Sequence, residues 1–134
     1  VKAVGVGECA GVVIDLVATL LLEAKEKITF AQEAFDNQKW SDAIYHAYAG
    51  FVNGAKALLL AENQKTNHHA GIVDLFDTVF IDTNKIELNS TFKDLVYQIN
   101  KNEPSEAFAK DYIAQAVVFF DKIETFRAQE LANA

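Results

Sequence analysis

The stretch Trp40-Ser41-Asp42-Ala43-Ile44-Tyr45-His46-Ala47-Tyr48-Ala49-Gly50-Phe51-Val52-Asn53-Gly54-Ala55-Lys56-Ala57-Leu58-Leu59-Leu60-Ala61-Glu62 decides the fold. Ile44, Ala47, Tyr48, Phe51, Ala55, Leu58 and Leu59 recur at three- and four-residue steps, which places them on one face of a helix and marks that face as core. Ser41 can offer its hydroxyl as an N-cap to the free amides of the first turn. The opposite face reads Asp42, His46, Ala49, Gly50, Asn53, Ala57 and Leu60, without the Lys and Glu of an ordinary surface helix. Small side chains at Ala49, Gly50 and Ala57 let another backbone approach. His46 and Asn53, two turns apart, can both donate hydrogen bonds from that side. Either this helix is central in a bundle, or the face meets a partner chain or ligand.

Upstream, Val13, Leu16, Val17, Leu20, Leu21, Ala24, Ile28, Ala31 and Phe35 form another helical stripe, predicting a long first helix from Val12. Asp36-Asn37-Gln38-Lys39 breaks it, with Asn37 suited to left-handed backbone, so the first two helices form an antiparallel hairpin. Downstream, Asn67 is a candidate cap for a third helix to about Ile81, with Ile72, Val73, Phe76, Val79 and Phe80 inward. Asp82-Thr83-Asn84-Lys85 ends it. Asn89 or Ser90 can cap a short fourth helix carrying Phe92, Leu95, Val96 and Ile99, and Pro104 stops that one. Ser105 opens the last helix, striped by Phe108, Tyr112, Ala116, Phe119, Ile123 and Phe126. The expected fold is all-α: an up-and-down helical bundle of four main helices plus one short one, spanning residues 12–134.

Composition narrows the function. The 134 residues hold only six Gly and one Pro, too few for the turns of a sandwich or barrel, and are 51% apolar, which excludes disorder. Twelve Lys and Arg against nineteen Asp and Glu give net −7, so nucleic-acid binding through a basic surface is not expected. Gly11 to Leu22 is apolar but interrupted by Asp15 and closed by Glu23, too short for a bilayer span, and reads as core helix. Asp15 there should find a hydrogen-bond partner, with Thr19 or His46 as candidates. Cys9 is the sole cysteine, so no disulfide forms within the chain, and with no secretory signal the expected location is the cytoplasm.

Catalytic chemistry finds little footing. Gly5-Val6-Gly7-Glu8-Cys9-Ala10-Gly11 imitates a phosphate-binding loop before a helix, but its spacing is one residue too long for the dinucleotide fingerprint and no acidic ribose partner follows. Residues 1–11 read instead as a lead-in from an upstream domain. The residues three before His46, His68 and His69 are Ala43, Lys65 and Thr66, so the Glu-x-x-His pattern of a helical di-metal site is missing. His68 and His69 are adjacent and point apart, which disfavours one shared metal. No serine sits in a Gly-x-Ser-x-Gly turn. No catalytic residue, metal or cofactor is assigned, and His46, Gly50, Asn53, His68 and His69 are the candidate ligand or interface positions.

The order Trp40-Ser41-Asp42-Ala43-Ile44-Tyr45-His46-Ala47-Tyr48, then Ala55-Lys56-Ala57-Leu58-Leu59, then His69-Ala70-Gly71-Ile72-Val73 with Phe76, resembles the HEPN domain family over roughly residues 12–130. That family consists of helical bundles often linked to nucleotidyltransferases and RNA-directed defence. The opening residues 5–16 are similar to the junction after the catalytic region of some bacterial nitrite/sulfite reductase-like proteins that end in such a bundle. The resemblance implies an appended bundle with its reductase domain upstream, and a two-fold homodimer formed around the second and third helices. Ribonuclease members carry an Arg, four to six residues, then His at the start of the third helix. His68 or His69 matches the histidine, but the arginine positions hold Glu62, Asn63 and Gln64, and Arg127 is the only arginine. Without that cation, cleavage loses the charge that stabilises a phosphorane. The expected function is a non-catalytic accessory module for dimerisation or for binding a nucleotide-like ligand. The alternatives are a HEPN-type ribonuclease using His68 or His69, or a pure protein-interaction module.

Overall fold

A computed structural model describes residues 2–64 and 68–133, the side chains of residues 2–10 excepted. Five α-helices follow one another: α1 Lys2–Asp36, α2 Trp40–Ala61, α3 His69–Phe76, α4 Phe92–Val96 and α5 Glu106–Ala132. A π-helical turn, Asp77–Ile81, continues α3, and a 3-10 turn, Tyr97–Asn100, continues α4. Among the described residues there is no strand, as the composition requires. The architecture is the all-α bundle expected.

Helix α2 is the centre. It packs along α1 and also meets α5, α3 and α4. Phe51, Phe76, Phe92 and Phe119 interlock beside it, with ring centroids 4.5 Å apart for Phe76–Phe92 and 4.9 Å for Phe92–Phe119. Tyr112, fully buried against Phe51, donates its hydroxyl to the Val96 carbonyl at 2.6 Å and so ties α5 to the end of α4.

The small residues of α2 serve this packing. A Cβ on Gly50 would stand 2.9 Å from Ile28 Cγ1, and one on Gly54 would stand 2.6 Å from Ile123 Cδ1. Gly50 and Ala57 are buried within the chain. The smallness of Gly50 is therefore used up by α1, and Gly50 is corrected from a candidate interface position to a core contact.

Several local expectations shift by a residue or two. The left-handed residue between α1 and α2 is Gln38, with φ 62°, not Asn37. Asn37 instead donates its side-chain amide to the Glu33 carbonyl at 3.0 Å, which keeps it on the helix end. Lys39, not Ser41, precedes the first turn of α2, because the Ala43 amide already bonds the Lys39 carbonyl. Thr91, not Asn89 or Ser90, caps α4 by accepting from the Asp94 amide at 3.1 Å. Asp77 adds a cap from a distance, its carboxylate accepting the Phe92 amide at 2.7 Å and the Lys93 amide at 3.0 Å. Ser105 caps α5 as expected, accepting from the Phe108 amide at 3.1 Å. The expected cap at Asn67 and the side chain of Cys9 lie outside the described residues.

Helix α1 opens at Lys2 instead of Val12, so the glycines at 5, 7 and 11 lie in helical backbone and form no phosphate-loop turn. Its 35 residues exceed the 22 of α2, an overhang of about 20 Å at the rise of an α-helix. The reading of Gly11 to Leu22 as core is corrected by the exposure of its side chains. Only Val17 is buried there, while Val12 is 57%, Ile14 43%, Leu16 48% and Leu22 58% exposed. Asp15 is also exposed, and Thr19 donates to its backbone carbonyl at 2.9 Å, not to its carboxylate. An exposed carboxylate is hydrated by solvent and needs no partner in the protein. Among the described residues, no helix is long and apolar enough to cross a membrane.

Candidate functional site

The outward strip of α2 carries Asp42, Tyr45, His46, Ala49, Asn53, Lys56 and Leu60. Asp42 and Tyr45 are exposed, Tyr45 at 62%, and the other five are half-buried between α1 and α3. Phe30 of α1, 40% exposed, borders the strip with its ring centroid 5.7 Å from that of His46. Tyr45 meets the same imidazole edge to face at 5.9 Å. His46 is thus held by two rings, and its Nδ1 is buried without a hydrogen-bond partner. Lys27 stands 5.8 Å over the Phe30 ring. Small, aromatic and uncharged groups dominate this surface in a chain of net −7.

At the strip's edge the chain enters α3. His68 occupies the N-cap position with extended backbone and supplies no side-chain cap. His69, the first residue of α3, is exposed, and its Nδ1 lies 3.2 Å from the Tyr48 hydroxyl. The two rings are tilted with centroids 5.7 Å apart. Burial raises the Tyr48 phenol above its ordinary pKa, with Tyr97 and Tyr45 adding to the effect. Sequence reasoning placed Tyr48 only on the core face and missed this pairing. The partners are 21 residues apart, and no local pattern joins them.

Glu62 and Asn63, where the resemblance looked for an arginine, close the end of α2. Glu62 ends α2 and pairs with Lys85 at 3.7 Å, and Asn63 is left-handed at φ 60°. Arg127 lies far along α5, its side chain only 13% exposed, with Nη1 3.5 Å from Glu130 Oε1. Burial raises the Glu130 carboxyl, the charge of Glu62 raises it further, and Arg127 opposes both. Glu62 thus faces Lys85 and raises Glu130, and the guanidinium of Arg127, the chain's sole arginine, is held by Glu130. Among the described residues, no group of three or more His, Cys, Asp or Glu could hold a metal.

The HEPN domain family model matches residues 17–127, most of the bundle just described. The chain belongs to the HEPN domain family. Over 115 residues it is 29% identical to a toxin-named protein of Methanocaldococcus jannaschii, a match covering 81% of this chain and 86% of that protein. No solved structure matches the chain. Neither match bears on the reductase-like junction that the opening residues resemble.

Proposed function

We propose that this HEPN domain acts by association and not by cleavage: a non-catalytic module that joins two copies through the outward strip of α2 and the start of α3. The observation that carries the reading is the strip itself. Tyr45 stands out at 62% exposure among half-buried His46, Ala49, Asn53 and Leu60, while Asp42 and Lys56 are its only charged residues. Such a surface gains more by being covered than by staying hydrated. Two-fold pairing is the commonest way for one chain to cover its own patch. A nucleotide-like ligand at the same strip is the companion role, with the rings of Tyr45 and Phe30 available for stacking. The likeness of the opening residues to a reductase junction supports an accessory place at the end of a nitrite/sulfite reductase-like protein, where a preceding domain would cover Val12, Ile14 and Leu16.

The name of the Methanocaldococcus jannaschii relative favours a second reading, a toxin-like action in which His68 or His69 acts on RNA. Glu62 at an arginine position and the net −7 both work against a polyanionic substrate. Labelled RNA incubated with metal-free protein separates the two readings. The association reading expects intact RNA, and a two-chain mass by sedimentation at tens of micromolar. Cleavage that disappears in His69→Ala or His68→Ala would replace it with the toxin-like reading.

A further inference from the structure

On the side of α5 that faces residues 82–95, two cavities of about 490 and 260 Å³ adjoin each other, sharing Val118 and Lys122 in their walls. The smaller one is walled mainly by Leu88, Leu95, Val118 and Phe119, with Asn89, Ser90 and Gln115 as its neutral polar groups, and Lys122 is the only charged residue lining it. Lys122 is fixed there by a neutral partner, its Nζ donating to the Glu87 carbonyl at 2.8 Å. An ammonium has three donors, so this contact leaves two unused. The other basic side chains with an ion pair among the described residues, Lys85, Lys93 and Arg127, meet Glu62, Asp74 and Glu130. Lys122 instead meets a backbone carbonyl in the wall of a mostly apolar cavity, in a chain with nineteen acids to twelve bases. Asp121 and Glu87 line only the larger cavity, so no carboxylate lines the smaller one.

We propose that this cavity binds a small monocarboxylate with an unbranched aliphatic tail, its carboxylate on Lys122 and its tail against Leu88, Leu95 and Phe119. Charge complementarity selects the head, because Lys122 is the only ion available to it. The walls select the tail: most of the lining is apolar, and of its polar side chains Gln115 is already bonded to Gln98 and Asp111 while Ser90 donates to the Thr91 carbonyl. The volume selects the size: 260 Å³ lies just below the range of about 300–1,000 Å³ that holds drug-sized ligands. This site lies on α5, apart from the α2 strip, and stands or falls independently of the association reading.

Octanoate titrated into the 134-residue chain, followed by backbone amide NMR, tests the proposal. The expected result is saturable binding below about 1 mM, with shifts confined to residues 88–95 and 114–122. Hexanoate should bind more weakly, by about fourfold for each methylene lost. Octanol should bind at least tenfold more weakly than octanoate. Lys122→Gln should lose the same factor while Lys122→Arg keeps the affinity, and the helical circular dichroism of each variant reports whether it folds. Octanol matching octanoate, affinity that ignores tail length, or shifts mapping to other segments would each overturn it. The alcohol and chain-length arms hold even if a lysine variant fails to fold.

Discussion

The Tyr48 hydroxyl and Nδ1 of His69 lie 3.2 Å apart, joining the middle of α2 to the first residue of α3. The contact fixes where His69, one of the two candidates for the family's histidine, sits relative to the outward strip of α2. Because His69 is exposed, the bond should contribute little to stability. Tyr48→Phe and His69→Ala should each cost about 1 kcal/mol or less. A double-mutant cycle by urea unfolding should give a coupling of roughly 0.5 kcal/mol, and a coupling of zero would mean that the bond does not persist in solution.

Tyr45 is the residue on which the association reading is most exposed to test. It is 62% exposed, and Glu in its place puts a charge on the strip without disturbing the core. Tyr45→Glu should shift sedimentation from a two-chain to a one-chain mass and leave the unfolding midpoint of the isolated chain nearly unchanged. Wild-type protein that sediments as one chain at tens of micromolar would remove the ground for pairing.

Two glycines should respond in opposite directions. A Cβ on Gly54 would already press Ile123 at 2.6 Å and Phe119 at 3.5 Å, whereas one on Gly11 would meet nothing within 4 Å. Gly54→Leu should cost about 3 kcal/mol through overpacking. Gly11→Ala should gain up to about 1 kcal/mol from helix propensity. Denaturant midpoints measured side by side decide the matter, and a well-folded Gly54→Leu protein would mean that α2 and α5 are not in close contact.

Tyr112 carries the most consequential buried hydroxyl. Tyr112→Phe leaves the Val96 carbonyl without its donor and should cost about 1–3 kcal/mol at neutral pH. Burial raises the folded-state pKa of Tyr112 well above its ordinary value, with Tyr48 adding to the effect. Its contribution is therefore complete below about pH 10, where the unfolded phenol begins to ionise. Above that pH the unfolded chain releases the proton and the folded chain does not, so stability falls as pH rises. In Tyr112→Phe this alkaline decline should be shallower, as read from unfolding midpoints between neutral and strongly alkaline pH.

Glu130 should show a pH dependence of the same sign at the acid end. Burial and the charge of Glu62 raise its carboxyl above the ordinary value despite Arg127. The folded state thus holds that proton longer than the unfolded state. The associated stability is present below the unfolded pKa and is lost as pH rises through the folded one. Glu130→Gln should be slightly more stable than wild type at neutral pH, with the advantage shrinking as the solution is acidified. Equal stability at neutral pH would mean that Arg127 fully offsets the two raising effects.

Which segments are helical and roughly where most of them break was legible in the sequence, because those signals act between residues a turn apart, although α1 opens ten residues before the expected Val12. The stripe of Tyr112, Ala116, Phe119 and Ile123 is buried as its spacing demands, Ser105 caps α5, and the breaks fall at residues 37–39 and 82–85. The resemblance carried by Trp40 to Tyr48 and by the residues from His69 onward led to the family that the comparison confirms. Tertiary structure alone decided what each helix face meets. The face with Gly50 reads either as central or as a partner surface, and Ile28 of α1 covers Gly50, while Val12, Ile14 and Leu16 read as core, yet stand exposed on α1. The Tyr48–His69 pair and the cavity beneath Lys122 likewise join segments 21 and 35 residues apart. Periodicity gives the direction in which a side chain leaves its helix. Its burial depends on the length and placement of a neighbouring helix, which no local pattern encodes.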